Sequence, residues 1–206
     1  VLHLFSPMHA AMSPAKNSLI PVLIGREEQL ALVRKCLAEC AHSSGSMVVI
    51  SAEAGLGKSR LLEEAAELAL ERGSVVLRGA GIARQEKVPN GMLASVLADF
   101  LNGATDEEVG AVRDLVSQLM PHLWSTVFER QSAPEVATTE MRPELRLSLF
   151  LARVVALLVE RSRRQPVLLC LDDLHWADSA SLRALQPLAQ QLAGASMTVL
   201  ATLRPE

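Results

Sequence analysis

Residues Met47 to Arg60, read as MVVISAEAGLGKSR, limit what this chain can fold into more than any other stretch. Met47 to Ile50 are four apolar residues in a row, the mark of a short buried strand. Seven residues containing Gly55 and Gly57 then lead to Lys58, Ser59 and a helical pattern. A strand that ends in a glycine-bearing loop and runs into a helix brings backbone N–H groups and a positive helix end to one point. That is a seat for phosphate. In such a layout the N–H groups from Gly55 to Ser59 cradle phosphates, Lys58 reaches the β/γ oxygens and the Ser59 hydroxyl binds Mg2+. The alternative is a plain turn before a helix that happens to begin Lys-Ser.

The strict P-loop pattern G-x-x-x-x-G-K-[ST] wants Gly where this chain has Ala52. Alanine serves there only with a negative φ, because its Cβ makes the left-handed region costly.

A composition of 50% hydrophobic and 21% charged residues supports a sizeable core and argues against general disorder. Aromatics are 3% and Tyr is absent, so that core must be mostly Leu, Val and Ala. A formal net charge of -3 gives no reason to expect nonspecific nucleic-acid binding by this segment. Cys36, Cys40 and Cys170 form no disulfide framework. Cys36 and Cys40 lie four apart with His42 nearby, which hints at a metal site, but buried small hydrophobes are the simpler reading. No apolar run reaches membrane-spanning length, and no basic segment precedes the N-terminal apolar residues. The expectation is a cytoplasmic protein with no membrane partner, and Val1 suggests a piece of a longer one.

Residues 1–21 carry turn chemistry at Ser6-Pro7 and Ser13-Pro14 and read as a tail or linker; residues 22–206 read as the folded domain. A turn at Gly25 opens a helix with Leu30, Val33 and Leu37 on one face. The helix after Lys58 has Leu61, Ala65 and Leu68 on one face and stops at Gly73. Strand signals follow at Ser74 to Gly79, Val167 to Leu171 and Met197 to Leu203. Helices are predicted at Met92 to Leu101, at Asp106 to Leu119 behind the capping box Thr105-x-x-Glu108, and at Pro143 to Arg164. Asp178 should cap a helix reaching Gln191, which Pro187 should kink or split. Alternating strands and helices imply a parallel sheet, an α/β fold.

A P-loop needs a partner carboxylate for the cation. PVLLCLDDLHWAD offers one at the end of an apolar strand, whose C-terminal end should open onto the ligand crevice. Asp172 would hold Mg2+, directly or through water, and Asp173 would orient or deprotonate an attacking water. The alternative is a solvated turn with a helix cap. Trp176 reads as packing over the strand end, and His175 as packing or as a neighbour of the γ-phosphate. The last strand, VLATLRPE, places Thr202 and Arg204 at the same edge, where a guanidinium can sense phosphate.

LIGREEQL, AEAGLGKSRLLEE, VLLCLDDLHWADSASL and VLATLRPE together resemble, in order and context, the STAND branch of AAA+-like ATPases. In particular they are similar to the nucleotide-binding domain of bacterial large ATP-binding LuxR-type regulators. The resemblance spans about residues 22 to 206 and implies a three-layer α/β/α P-loop fold with a mostly parallel sheet. It implies an adenine-pocket segment at Ile24, Gly25 and Arg26. Ala52, Glu53, Ala54, Gly55, Leu56, Gly57, Lys58 and Ser59, with Arg60 beyond them, become the Walker A segment. Asp172 and Asp173 become Walker B, and Arg204 the sensor-1 arginine. Gln29 departs from the family's usual Glu, and Ala52 from its common first Gly.

The family further implies a last core strand, a winged-helix element, a sensor region and a DNA-binding helix-turn-helix beyond Glu206. Without that last strand the P-loop strand is expected at an exposed sheet edge. The resulting expectation is a switch that binds ATP with Mg2+, self-associates in that state and hydrolyses it slowly to ADP; Asp173, Lys58 and Arg204 carry the chemistry. DNA would be met only through another domain. Rival readings are the same module beside a cyclase or kinase output, a P-loop kinase for a small acceptor, and a scaffold locked on ADP.

Overall fold

The computed structural model describes residues 26–40, 44–82, 89–128 and 141–205. The expected tail over residues 1–21, the turn at Gly25 and His42 lie outside them. Four strands, β1 (Ser46–Ser51), β2 (Val75–Ala80), β3 (Val167–Asp172) and β4 (Met197–Leu203), form one sheet in the order β1-β4-β3-β2. Every pairing is parallel, with Ser46 opposite Thr198, Val167 opposite Met197 and Val75 opposite Val167.

Side chains along a strand alternate between the two faces, and each face has its own helices. The face carrying Leu168, Cys170 and Leu200 packs against α1 (Glu27–Cys40) and α2 (Lys58–Glu71) through Val33, Leu37, Leu62, Ala65 and Ala69. The opposite face, with Leu77, Leu169, Leu171, Val199 and Ala201, meets the larger cluster. That cluster is built by α3 (Gly91–Phe100), α4 (Asp106–Leu119), α5 (Trp124–Val127) and α6 (Pro143–Arg164), with α8 (Leu185–Gln191) alongside. The three-layer α/β/α arrangement expected from the sequence is therefore present. β3 is buried from Val167 to Leu171 because both its faces are covered, which explains its unbroken apolar run. β1 pairs with β4 alone among the described strands, and Val49 on it is 50% exposed.

Most boundaries match the sequence reading within a residue or two. Trp124–Val127, a single helical turn, falls in a stretch whose weak periodicity carries no prediction. The single helix predicted from Asp178 to Gln191 is split into α7 (Ser179–Arg183) and α8, with the break at Ala184. Pro187 accounts for it, since it offers no N–H to the Arg183 carbonyl and its ring crowds that group. Cys36, Cys40 and Cys170 are buried and free, as small apolar side chains. Burial pushes the Cys170 thiol up to about 12, so it stays neutral. Among the described residues no helix is long and apolar enough to cross a membrane.

One buried ionic cluster fixes α4 against α6. The capping box is complete: the Glu108 N–H donates to the Thr105 hydroxyl, and the Thr105 N–H donates to Glu108 Oε2 at 2.8 Å. Arg161 from α6 reaches the same oxygen at 3.1 Å and also donates to the Gly103 carbonyl. Both side chains are buried, Glu108 to 7% and Arg161 to 11% exposure. Burial alone would raise the Glu108 carboxyl; the Thr105 N–H, Arg161, the Thr105 hydroxyl and Arg164 together outweigh it and hold the group below its ordinary 4.5. A carboxyl lowered by folding stabilises above its unfolded pKa and loses that contribution as pH falls through the folded value. Glu108→Gln should therefore cost about 3 kcal/mol at neutral pH, since it leaves Arg161 buried and uncompensated. Denaturant titrations should show the gap between variant and parent closing as pH drops below 4.5.

Candidate functional site

The carboxyl ends of β1, β3 and β4 converge because the sheet is parallel, and their polar residues meet there. The loop from Ala52 leads into α2, whose first residues are Lys58 and Ser59. Gly55 and Gly57 sit at φ 79° and 76°, a region open to Gly at no steric cost. Ala52 is not among the residues with positive φ, so the loop tolerates its Cβ at that position. Lys58 is 7% exposed and folds back over the loop. Its ammonium donates to the Ala52 and Glu53 carbonyls at 2.7 and 2.9 Å, which places Nζ inside the loop's curve.

From β3, Asp172 accepts a hydrogen bond from the Ser59 hydroxyl at 2.8 Å. This joins the helix start after β1 to the end of β3, two strands away. Thr202 of β4 lies between them, fully buried. Its hydroxyl donates to Asp172 Oδ1 and accepts the Asp173 N–H at 2.9 Å. Asp173 adopts φ 52°, ψ 52°, a left-handed conformation that a short polar side chain tolerates better than most. Trp176 donates its N–H to the Asp173 carbonyl at 2.8 Å, closing the 3-10 turn Leu174–Trp176. Gly81, just past β2, lies against this turn. A Cβ on it would stand 2.3 Å from the Asp173 carbonyl oxygen.

A pocket of about 280 Å³ opens over these groups, lined by Ala54, Gly55, Gly57, Lys58, Ser59, Arg60, Asp173 and Arg204. Backbone N–H groups at a helix N-terminus, an ammonium and an exposed guanidinium make it a seat for anions. Ser59 and Asp172 suit a divalent cation, being hard oxygen donors held close together. Among the described residues no group of three or more His, Cys, Asp or Glu side chains would hold a metal by itself. A cation here would complete its shell with phosphate and water, as Mg2+ usually does.

A family model described as AAA ATPase domain matches residues 22–200. The chain belongs to that family. No curated protein matches it in sequence. An AAA ATPase domain binds nucleotide.

The structure brings Lys58, Ser59, Asp172, Asp173 and Arg204 together, as the sequence reading requires. Arg26 also reaches the loop, donating to the Leu56 carbonyl at 2.7 Å. Ile24 and Gly25, expected beside the adenine, lie outside the described residues. Arg60 pairs with Glu63 and Glu64 along its own helix while lining the pocket. Asp178 caps α7, accepting the Ser181 N–H at 2.9 Å, and also accepts the Asn90 N–H at the start of α3. Three features were not read from the sequence: the bridging role of Thr202, the close approach at Gly81 and the left-handed Asp173. Thr202, one of two threonines in β4 and next to its last residue, was the available signal for the first. Thr202→Val keeps the volume but removes the bridge at a fully buried position. Destabilisation of about 1–3 kcal/mol is expected in denaturant titrations.

Proposed function

We propose that residues 22–206 form an ATP-binding, slowly hydrolysing switch module of a multidomain bacterial transcription regulator of the STAND, LuxR-related type. The observation that carries this reading is the Ser59–Asp172 hydrogen bond, which couples the phosphate loop to the end of β3 in one pocket with Lys58 and Arg204. Lys58 would exchange its two loop carbonyls for β/γ-phosphate oxygens, a charge-assisted contact stronger than the neutral ones it leaves. The N–H groups from Gly55 to Ser59 would face the phosphates, and Ala52, Glu53, Ala54 and Leu56 would give the loop its shape. Ser59 and Asp172 would hold Mg2+, which when bound neutralises developing phosphate charge. Asp173 would orient a water, and Arg204 would meet the γ-phosphate.

Arg26, through its bond to Leu56, would tie the adenine segment containing Ile24 and Gly25 to the loop. β1, which pairs with β4 alone among the described strands and carries a half-exposed Val49, supports self-association of the ATP state. DNA contact is assigned to a domain outside these residues, and the module to the cytoplasm. Arg60, the other arginine lining the pocket, is paired with Glu63 and Glu64 along its own helix, which supports slow turnover rather than fast.

Lys58→Ala should weaken ATP binding at least roughly 100-fold, about 2.8 kcal/mol at 1.4 kcal/mol per decade, in a calorimetric titration. Undiminished affinity would remove the phosphate-loop assignment. Asp173→Asn should keep ATP affinity and slow phosphate release, which a release assay over hours would follow.

A further inference from the structure

Among the described residues, the buried side-chain atoms without a hydrogen-bond partner are Ser46 Oγ, Asn90 Oδ1, Glu108 Oε1 and both ring nitrogens of His175. Glu108 Oε1 has Arg164 at 3.4 Å to offset it. His175 contributes two of these atoms, both nitrogens of its ring. A neutral imidazole always carries one N–H donor and one acceptor, so burying both without partners is costly. Core packing alone does not select histidine for such a place, since an apolar ring would fill it without that cost.

An acidic group stands beside the ring. Asp173 Oδ1 stands 3.8 Å from His175 Nδ1, about 0.6 Å beyond the upper end of ordinary hydrogen-bond range. The backbone of Asp173 is held on both sides, its N–H by Thr202 and its carbonyl by the Trp176 N–H under Gly81. Its carboxylate is what remains free to turn, and it sits between the imidazole and the phosphate pocket. The Trp176 ring also lies against it, tilted, with ring centroids 5.2 Å apart.

We propose that His175 is a positioning residue for hydrolysis, acting through Asp173: its Nδ1–H donates to Asp173 Oδ1 and leaves the other carboxylate oxygen to orient water. The inference rests on the ATPase reading above. Hydrogen bonds of this kind are often long in an empty site and tighten when substrate is bound. The donor sits on Nδ1, so the tautomer is fixed by the carboxylate it serves.

Two measurements test it. Long-range 1H–15N spectra of the histidine-labelled protein should show the Nδ1–H tautomer for His175, lost in Asp173→Ala. An Nε2–H tautomer in the unaltered protein, or no response to Asp173→Ala, overturns the proposal without any reference to ATP. For turnover, His175→Phe should leave ATP affinity within about twofold and lower the rate of phosphate release by roughly 100-fold, the scale on which misplaced groups act in an active site. His175→Asn, whose amide nitrogen falls near Nδ1, should restore most of that rate. His175→Gln, which reaches toward Nε2, should not. Equal rates in the Asn and Gln variants, or a His175→Phe rate within twofold of the parent, overturn the clamp. Failure of the ATPase reading shows differently, as an ATP affinity that Lys58→Ala does not change.

Discussion

The buried hydroxyl of Thr202 is the contact on which the site depends. It sits in the strand between the phosphate loop and the acidic pair, and it touches Asp172 through one lone hydrogen and the Asp173 amide through its oxygen. A hydroxyl serves here because it donates and accepts at once, which a carboxylate or an amine cannot. It thereby fixes the Asp172 carboxylate and the Asp173 backbone from one point. Asp172 is left facing Ser59, and Asp173 is turned by its left-handed backbone toward the pocket. An orphaned acid pair at the end of a hydrophobic strand would repel itself and face any direction. Held this way, the two acids take separate places.

Much of this was legible because the fold rewards simple patterns. The apolar run Val167 to Leu171 reads as a central strand, since only a strand covered on both faces can be apolar throughout. The Thr105–Glu108 spacing places the start of α4 to the residue because both capping bonds depend on that spacing alone. Pro187 foretells a broken helix, though the break falls at Ala184, where the chain absorbs the missing bond. The site was readable as a list of residue types but not as a geometry. Nothing in the local sequence around Gly81 reveals that it will meet the Asp173 carbonyl, because that contact joins elements about ninety residues apart. The same holds for the Asn90 N–H on Asp178, which ties the start of α3 to the cap of α7. Periodicity reports which face a residue takes, and tertiary approach decides what it meets there.

The ionic and capping contacts at Glu108 serve the opposite side of the sheet from the phosphate loop, and the division is physical. α4 and α6 are locked by a charge pair with little exposure, whereas the loop side relies on small residues, Ala65 and Ala69 among them, that let α2 lie close to the sheet. Close approach brings the helix N-terminus, with Lys58 and Ser59, over the strand ends where its dipole acts. One layer supplies rigidity and the other supplies reach.

β1 is moored on one side only. The strand that delivers the phosphate loop shares its hydrogen bonds with β4 and with no other described strand, so its detachment, like that of β2 at the opposite edge, breaks one ladder rather than two. The Ser59–Asp172 bond crosses from that strand's loop over β4 to β3, and it acts as a tie across the seam that would open. A ligand gripping the loop and the β3 end together strengthens the same tie. In such a domain occupancy of the site and retention of its edge strand become one equilibrium, so that the bound molecule is a structural member of the sheet's margin as much as it is a substrate.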